Sequence, residues 1–461
     1  MSETLTAVVL AAGRGRRMCS AKPKILHELG GRPLLGHVLD AARAAEAERI
    51  LLVTAPGTEE VAAYAESEGA TPGAIVQDPP LGTGHAVMAA RARLPQAGDV
   101  VVLFADTPFL AASTIARLVR RRRQSGAAVA VLGMEPEEPG AYGRLVERDG
   151  KLTAIVEAAQ ADEATRAIRL VNSGVMAFDA ARLPALLDAL APRTARDGNA
   201  EYYLTDAVAA ARAAGWQAVV ERADPVEGLG VNDRVELAAA EAILQQRLRE
   251  RWMRAGVTML DPATVHLAAD VSFGQDVILE PHVYLGSGVV IEDDVRIRAF
   301  SHLTTDPPKD ATPLVVRKGA VIGPFARLRS GADVGEGAHV GNFVELKNAR
   351  LAGGAKANHL SYLGDCSVGA NSNIGAGTIT CNYDGFAKWP TTIGRDVFVG
   401  SNATLVAPVE LGDGALIGAG SWVGRDVAAG ASHVARGVPD QREGGAARLA
   451  AYLQRRAGKD G

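Results

Sequence analysis

Cysteine is scarce: Cys19, Cys366 and Cys381 are the three in 461 residues. Three thiols cannot build a disulfide scaffold, and an odd number fits a reducing compartment better than a secreted one. No charge of one sign prevails. Lys plus Arg is 49 and Asp plus Glu is 53, a formal net charge of -4, which gives no bulk positive field to steer nucleic acid. Long apolar runs are missing at the N-terminus too. In MSETLTAVVLAAGRGRRM the apolar stretch is too short to span a bilayer, and it runs into glycine and arginine without the order of a signal peptide. These absences predict a soluble cytoplasmic protein with no nucleic-acid partner and no stable membrane insertion. Apolar residues make up 48% of the chain, so global disorder is excluded. The length suits about two to four domains.

Glycine is the residue in excess: there are 51, about 11% against a usual value of about 7%. Its placement, with the apolar pattern, divides the chain. In the first half TAVVLAAG (6–13), RILLVTAP (49–56), AIVQD (74–78), VVLFAD (101–106), AAVAVLGM (127–134) and WQAVVE (216–221) read as strands. Helical patterns separate most of them. This rhythm predicts an α/β unit over 1–232, Rossmann-like, with a mostly parallel sheet covered on both faces. The segment VELAAAEAILQQRLRERWMRA, with Asp233 as a possible N-cap and Gly256 as its stop, predicts a connecting helix over 233–255. The run RLVRRRR (117–123) allows an RNA or membrane patch, but a solvated helix end is the plainer reading.

Beyond the helix the period becomes six. Val265, Val271, Val277, Val283, Val289 and Val295 keep that spacing, as do Ile322, Leu328, Val334, Val340 and Leu346, and then Ile393, Val399, Leu405, Leu411, Ile417 and Val423. Glycine often follows the aliphatic residue. Six residues per side and three sides per turn predict a left-handed parallel β-helix (hexapeptide repeat) over 256–438, with one aliphatic inward per side and small residues easing the corners. Two stretches break the lattice, the Pro-rich 301–313 and the polar, aromatic 347–392. The tail 439–461 reads as an Arg-rich extension.

The turn LAAGRGRRM…AKPK (10–24) follows the first strand directly. A glycine-rich turn there brings backbone N–H groups to an anion, with Arg14, Arg17 and Lys24 to neutralise it, although a tight turn with solvent-facing arginines would look the same. Asp106, at the C-terminal end of a sheet strand, stands where ligands collect in such folds. Mg²⁺ beside triphosphate oxygens would suit it, as would a cap or turn role. Gln77 and LGTGHA (81–86) supply amide and hydroxyl groups suited to a base edge.

Together LAAGRGRRM…KPK, LGTGHA, AYGR (141–144), IVE (155–157), NSGV (172–175), EYYLTD (201–206) and GVN (230–232) resemble the sugar-nucleotide pyrophosphorylase domain. From residue 6 to about 440 the chain resembles the bacterial bifunctional N-acetylglucosamine-1-phosphate uridylyltransferase/glucosamine-1-phosphate N-acetyltransferase family. The resemblance implies acetylation of glucosamine 1-phosphate by acetyl-CoA, then transfer of UMP from UTP, giving UDP-N-acetylglucosamine for the cell envelope. It implies that Leu10, Ala11, Ala12 and Gly13 hold the nucleotide, that Arg17 and Lys24 take its phosphates, and that Gln77, Gly82 and Thr83 face uracil. Gly143, Glu157 and Asn172 would hold the N-acetyl sugar, and Asp106 with Asn232 the Mg²⁺. The family has Tyr-Gly before this aspartate; here Phe104-Ala105 stand instead.

In the repeat region Arg329 and Lys347 are eighteen residues apart, so they stack one turn above another. Two stacked cations suit a phosphomonoester, or are two unrelated surface charges. KANHLSYLGD (356–365) and CNYDG (381–385) add His359, Tyr362, Asn382 and Tyr383. Histidine suits removal of an ammonium proton near neutrality. The resemblance implies that His359 is the general base and that Arg329, Lys347, Tyr362, Asn373 and Lys388 hold the acceptor. Ala376, Asn382, Tyr383, Ser401, Ala419 and Arg436 would meet acetyl-CoA, in a groove between subunits of a homotrimer. His266 and His282, in the plain lattice, read as structural or exposed.

Overall fold

The computed structural model describes residues 4–13, 15–148, 150–194, 200–305, 312–435 and 448. Its chain divides into two units, Met1–Gln245 and Gln246–Gly461. Arg14, Arg436 and most of the tail fall outside the described residues.

The first unit contains strands β1 (Leu5–Ala11), β2 (Arg49–Thr54), β3 (Ile75–Val76), β4 (Asp99–Phe104), β5 (Val129–Met134), β6 (Arg144–Arg148), β7 (Lys151–Val156), β8 (Val171–Asp179) and β9 (Ala218–Ala223). The sheet order is β9-β5-β8-β4-β1-β2-β3, and β6 and β7 form a hairpin attached to β8. Along the main order only β8 runs antiparallel to its neighbours. Ala7 and Val9 of β1 face one core, while Val8 and Leu10 face the other. Burial on both faces is why this strand reads as an unbroken apolar run. Helices α1 (Leu34–Ala44) and α3 (Ala112–Ser125) pack on the first core, and α2 (Gly82–Ala89) on the second. Because β1 and β4 are adjacent and parallel, LAAG and Asp106 emerge together at their C-terminal edge.

The arginine run 117–123 ends α3, and it is not simply a solvated helix end. Asp99, fully buried at the start of β4, pairs with both Arg122 and Arg123, and Arg122 is itself buried. A buried carboxylate must be paired, which fixes two of the arginines; Arg120 and Arg121 remain exposed. The helix α4 (Arg234–Arg254) starts at Asp233, whose Oδ1 accepts from Val235 N and Glu236 N, both at 2.9 Å. The boundary between the units falls within this helix. Among the described residues no helix is long and apolar enough to cross a membrane.

The second unit is a parallel β-helix of two- to seven-residue strands, each hydrogen-bonded to the strand one coil on. His266 pairs with Tyr284 and Ile278 with Arg296, eighteen residues apart. Each side buries two residues rather than the single aliphatic expected. Val277 with Leu279, Val283 with Leu285, and Val295 with Ile297 are inward, and later Ala326 with Leu328 and Ala338 with Val340. At successive corners a residue with left-handed φ recurs, Asp276, His282, Gly288, Asp294 and Phe300 in turn. The glycine that follows the aliphatic answers a different need. At Gly335 a Cβ would sit 2.6 Å from the Leu351 carbonyl of the next coil, so close approach and not corner freedom excludes a side chain there.

The lattice does not break over 347–392 as the spacing suggests. Two sides are shortened by one residue, so His339 pairs with Lys356 and Glu345 with Tyr362 at seventeen rather than eighteen. A loop then enters before Thr391, which pairs back to Cys366. All three cysteines are free thiols. Burial, with the Asp365 carboxylate, pushes the Cys366 thiol up to about 12.

Candidate functional site

At the C-terminal edge of β1 and β4 a cavity of about 640 Å³ opens, lined by Leu10, Ala11, Ala12, Gly13, Lys24, Gln77, Gly82, Thr83 and Asp106 among others. Nine expected residues therefore meet in one cavity. Arg16 lines it as well, whereas Arg17 is exposed and does not. The Gly-rich turn curls against Lys24: Gly15 has φ +56°, and a Cβ there would lie 2.6 Å from Lys24 Cβ.

Lys24 Nζ pairs with Asp106 Oδ2 and donates to Asn232 Oδ1 at 3.1 Å. Two oxygen donors from segments far apart in sequence thus converge on one positive centre. Asn232 is held in turn by its own helix start, where its backbone N donates to Glu236 Oε2 at 2.7 Å. A carboxylate and an amide oxygen on a single cation, open to the same cavity, suit Mg²⁺, which takes one or two protein oxygens and completes its shell with water and phosphate.

Two motifs of the sequence zip together along the far wall. Tyr202 N donates to Leu81 O and Gly84 N to Tyr202 O, each at 2.8 Å, and Leu204 N donates to Thr83 Oγ1 at 3.1 Å. Gly82, at φ +91°, leaves only 2.7 Å between a would-be Cβ and the Tyr202 carbonyl. That is why LGTGHA carries glycine there. Gln77 is buried, and its Nε2 donates to Gly82 O at 2.9 Å.

Gly143, Glu157 and Asn172 form a second group. Asn172 N donates to Gly143 O at 2.8 Å, and a Cβ on Gly143 would lie 3.6 Å from Glu157 Oε1. They do not line the first cavity. A neighbouring one of about 340 Å³ shares Phe104 and Asp106 with it and adds Tyr142, Ser173, Asn232 and Glu236. Phe104 packs its ring over Gly174, where a Cβ would come within 2.9 Å of Cε2.

In the second unit one column of backbone hydrogen bonds gathers a set of residues from successive coils. Leu360 N donates to Asn342 O, Gly377 N to His359 O, Asn402 N to Ala376 O, and Gly420 N to Ser401 O. His359, Ala376, Ser401 and the residue before Gly420, Ala419, so stand in line along one corner. His359 Nδ1 lies 2.7 Å from Asn342 Oδ1. Asn342 escaped the sequence reading because the coil between the two residues has seventeen residues, which hides them from an eighteen-residue search.

Across the next side lies a cluster of cations. Lys388 beside Lys347, then burial and Arg329, hold the Lys347 ammonium below its usual range, and Asp365 opposes them. Arg329 also pairs with Glu345 at 3.3 Å. The loop that presents Lys388 is organised by Asp384, which accepts from Phe386 N, Ala387 N and Trp389 Nε1 at 2.7–2.8 Å. These bonds, the one from Ala387 N foremost, hold the Asp384 carboxyl down at about 2. Asn382 is buried and donates to Asp365, and Tyr383 is exposed, its hydroxyl donating to Gly385 O at 2.7 Å. Tyr362 pairs with Glu345 between the two corners. Asn373 stands apart: it is in register with Lys356, at the other end of the side that His359 closes. His266 and His282 stack on Tyr284 and Phe300.

Comparison with known proteins finds a MobA-like NTP transferase domain over residues 7–220 and a hexapeptide repeat of succinyl-transferase over 390–425. The chain is 47% identical to a bifunctional protein GlmU of Paramagnetospirillum magneticum, with 100% of both chains covered. It is 49% identical to the protein of that name from Azorhizobium caulinodans, over 98% of each chain. The one from Acidiphilium cryptum is 50% identical, over 96% of this chain and 98% of the relative.

Proposed function

The chain belongs to the bifunctional GlmU family, and from that premise we propose how its two sites divide the work. It is an enzyme that acetylates glucosamine 1-phosphate with acetyl-CoA and transfers UMP from UTP to the product, giving UDP-N-acetylglucosamine and pyrophosphate. The observation that carries the assignment is that each unit holds its own reactive constellation, Lys24 with Asp106 and Asn232 in one and His359 with a cation cluster in the other. Both co-substrates are cytoplasmic metabolites, which puts the enzyme there.

In the first unit the sugar 1-phosphate oxygen attacks the α-phosphorus of UTP, and the bond to the pyrophosphate oxygen breaks. No bond to the protein forms, so catalysis rests on alignment and charge neutralisation. Asp106 and Asn232 would hold Mg²⁺, which supplies positive charge to the phosphates. Lys24, and Arg17 or Arg16, add to it. The turn Leu10–Gly13 cradles the nucleotide, and Gly143, Glu157 and Asn172 seat the acetylated sugar.

In the second unit Arg329, Lys347 and Lys388 take the phosphomonoester, whose two negative charges relieve their mutual repulsion. Tyr362 contacts the sugar. His359 Nε2 removes the ammonium proton, the freed amine attacks the thioester carbon, and the C–S bond breaks to release CoA. The column Ala376, Ser401 and Ala419, with Asn382 and Tyr383, accommodates acetyl-CoA.

The protein acts as a homotrimer. Just below the His359 column the same corner exposes a ladder of apolar residues: Phe300, Phe325, Phe343 and Leu360, each about half exposed, the phenyl rings stacked 4.9 and 5.2 Å apart. A second copy covering it would stand beside His359 and could bring its own Asn373 to the acceptor.

The test follows CoA and pyrophosphate separately in the full chain supplied with glucosamine 1-phosphate, acetyl-CoA, UTP and Mg²⁺. Wild type releases both. His359→Ala releases no CoA, and makes pyrophosphate only when given N-acetylglucosamine 1-phosphate. Pyrophosphate without CoA from wild type would reduce the protein to a single-activity nucleotidyltransferase.

A further inference from the structure

The amide of Gln77 is fixed in orientation by its surroundings. Its side chain is buried at 3% exposure on the wall of the first cavity. Nε2 stands 2.9 Å from Gly82 O and 3.2 Å from His85 Nδ1. A backbone carbonyl can only accept, so the group facing it is the NH₂ and not the oxygen. Both amide protons are then used, one on the carbonyl and one on the ring. For Nδ1 to accept, His85 must be the neutral tautomer with its proton on Nε2. The ring is steadied by Tyr202, with centroids 6.1 Å apart, and Tyr202 is itself tied by its backbone to Leu81 and Gly84. The atom of Gln77 left for a ligand is Oε1, an acceptor.

An acceptor at the edge of a pyrimidine reads one feature. Uracil and thymine carry N3–H, a donor, whereas N3 of cytosine is an acceptor. With Oε1 presented, cytosine would oppose two lone pairs in a buried site; with the amide turned over, cytosine would be welcomed and uracil refused. Gly82 O alone sets which end of the amide faces it but leaves the group free to rock about that one bond, which tilts Oε1 away from the base. His85 supplies the second anchor.

We propose that His85 is a specificity-determining positioning residue: by accepting from Gln77 Nε2 it holds Oε1 toward the base, so that the site selects a nucleotide with a donor at N3, uridine or thymidine, over cytidine. This deepens the nucleotide reading given above and rests on it. It also explains why a histidine, and not merely a small residue, follows the glycines of LGTGHA: its Nδ1 is placed one helical turn beyond the Gly82 carbonyl, at the same amide.

The experiment uses the full chain with N-acetylglucosamine 1-phosphate and Mg²⁺, and compares kcat/KM for UTP and CTP in wild type, His85→Leu and His85→Asn. Far-UV circular dichroism and the thermal transition of the same preparations report that each variant is folded. The expected result is that His85→Leu lowers the UTP-over-CTP ratio on the order of tenfold, the size of effect that follows from losing a directed polar contact in a buried site. His85→Asn, whose side-chain oxygen reaches about where Nδ1 stands, keeps most of the ratio. If His85→Leu loses activity with both nucleotides equally, its ratio within about twofold of wild type, the residue merely shapes the loop and the proposal falls. A wild type that uses UTP and CTP alike overturns it while leaving the nucleotidyltransferase reading intact. A wild type that turns over neither nucleotide overturns that reading and this inference with it.

Discussion

His359 and Asn342 meet across adjacent coils, ring Nδ1 to amide Oδ1 at 2.7 Å. An amide oxygen there calls for a proton on Nδ1 and so turns the Nε2 lone pair outward, the form a base needs. Asn342→Leu is expected to lower kcat for acetyl transfer by about tenfold with little change in KM. In Asn342→Asp a carboxylate would stabilise the imidazolium, so the pH at which acetyl transfer switches on moves upward. A pH–rate profile that stays put in Asn342→Asp, with CoA release as the readout, would remove Asn342 from the mechanism. Uridylyl transfer serves as the unchanged control.

Lys347 is held below the lysine range by Lys388, burial and Arg329. Its folded-state value lies under its unfolded one, so the crowded charge costs stability at neutral pH, and that cost disappears only as the pH rises toward the lysine range. A dianion relieves it at any pH where the lysines are charged. Inorganic phosphate should therefore raise the Tm of wild type, and the rise should shrink in Lys388→Met. The same variant should raise KM for glucosamine 1-phosphate about tenfold, the ~1.5 kcal/mol of one charge-assisted hydrogen bond.

Asp384 holds the loop that carries Lys388, and its carboxyl sits down at about 2. A depressed carboxylate contributes order that is fully present above the ordinary carboxylate range and is lost as the pH falls through about 2. The loop thus keeps its form throughout the working range of the enzyme. Asp384→Ala should raise the acceptor KM severalfold and leave Tm almost unchanged, because the loop is exposed. A KM equal to that of wild type would show that Lys388 finds its place without this carboxylate.

Arg122→Ala would leave Asp99 fully buried with one of its two partners gone. Removing a partner from a buried pair costs about 3–5 kcal/mol, and Arg123 offsets some of it. Arg120→Ala, on the exposed side of the same helix, should change stability by about 0.5 kcal/mol or less. Denaturant midpoints of the two variants should separate clearly.

The Phe300, Phe325 and Phe343 ladder should be covered in the assembled enzyme. Phe325→Glu is expected to shift the mass in solution from trimer to monomer and to abolish acetyl transfer, with uridylyl transfer kept. Light scattering on a variant that stays trimeric would point to another face as the contact.

The sequence by itself determined the two architectures and most of the first cavity. A strand buried on both faces has to be apolar throughout, and a three-sided coil has to repeat its inward residue every six, so both patterns are written into the order of the residues. LAAG, Gln77 and Asp106 were legible because each lies at or just past the end of a strand, and Lys24 and LGTGHA because they follow in the connections that leave the same sheet edge. What chain order cannot express is contact between segments whose spacing is irregular. The pairing of Asn342 with His359, the cations that surround Lys347, and the shortened coils over 347–392 depend on a register that slips by one residue and then absorbs a loop. The burial of Arg122 in a run of exposed arginines, and the His85 ring behind Gln77, are likewise decided by which neighbour fills the space. Side chains at such places answer to partners brought by tertiary packing, and a periodic reading of one strand or helix has no knowledge of them.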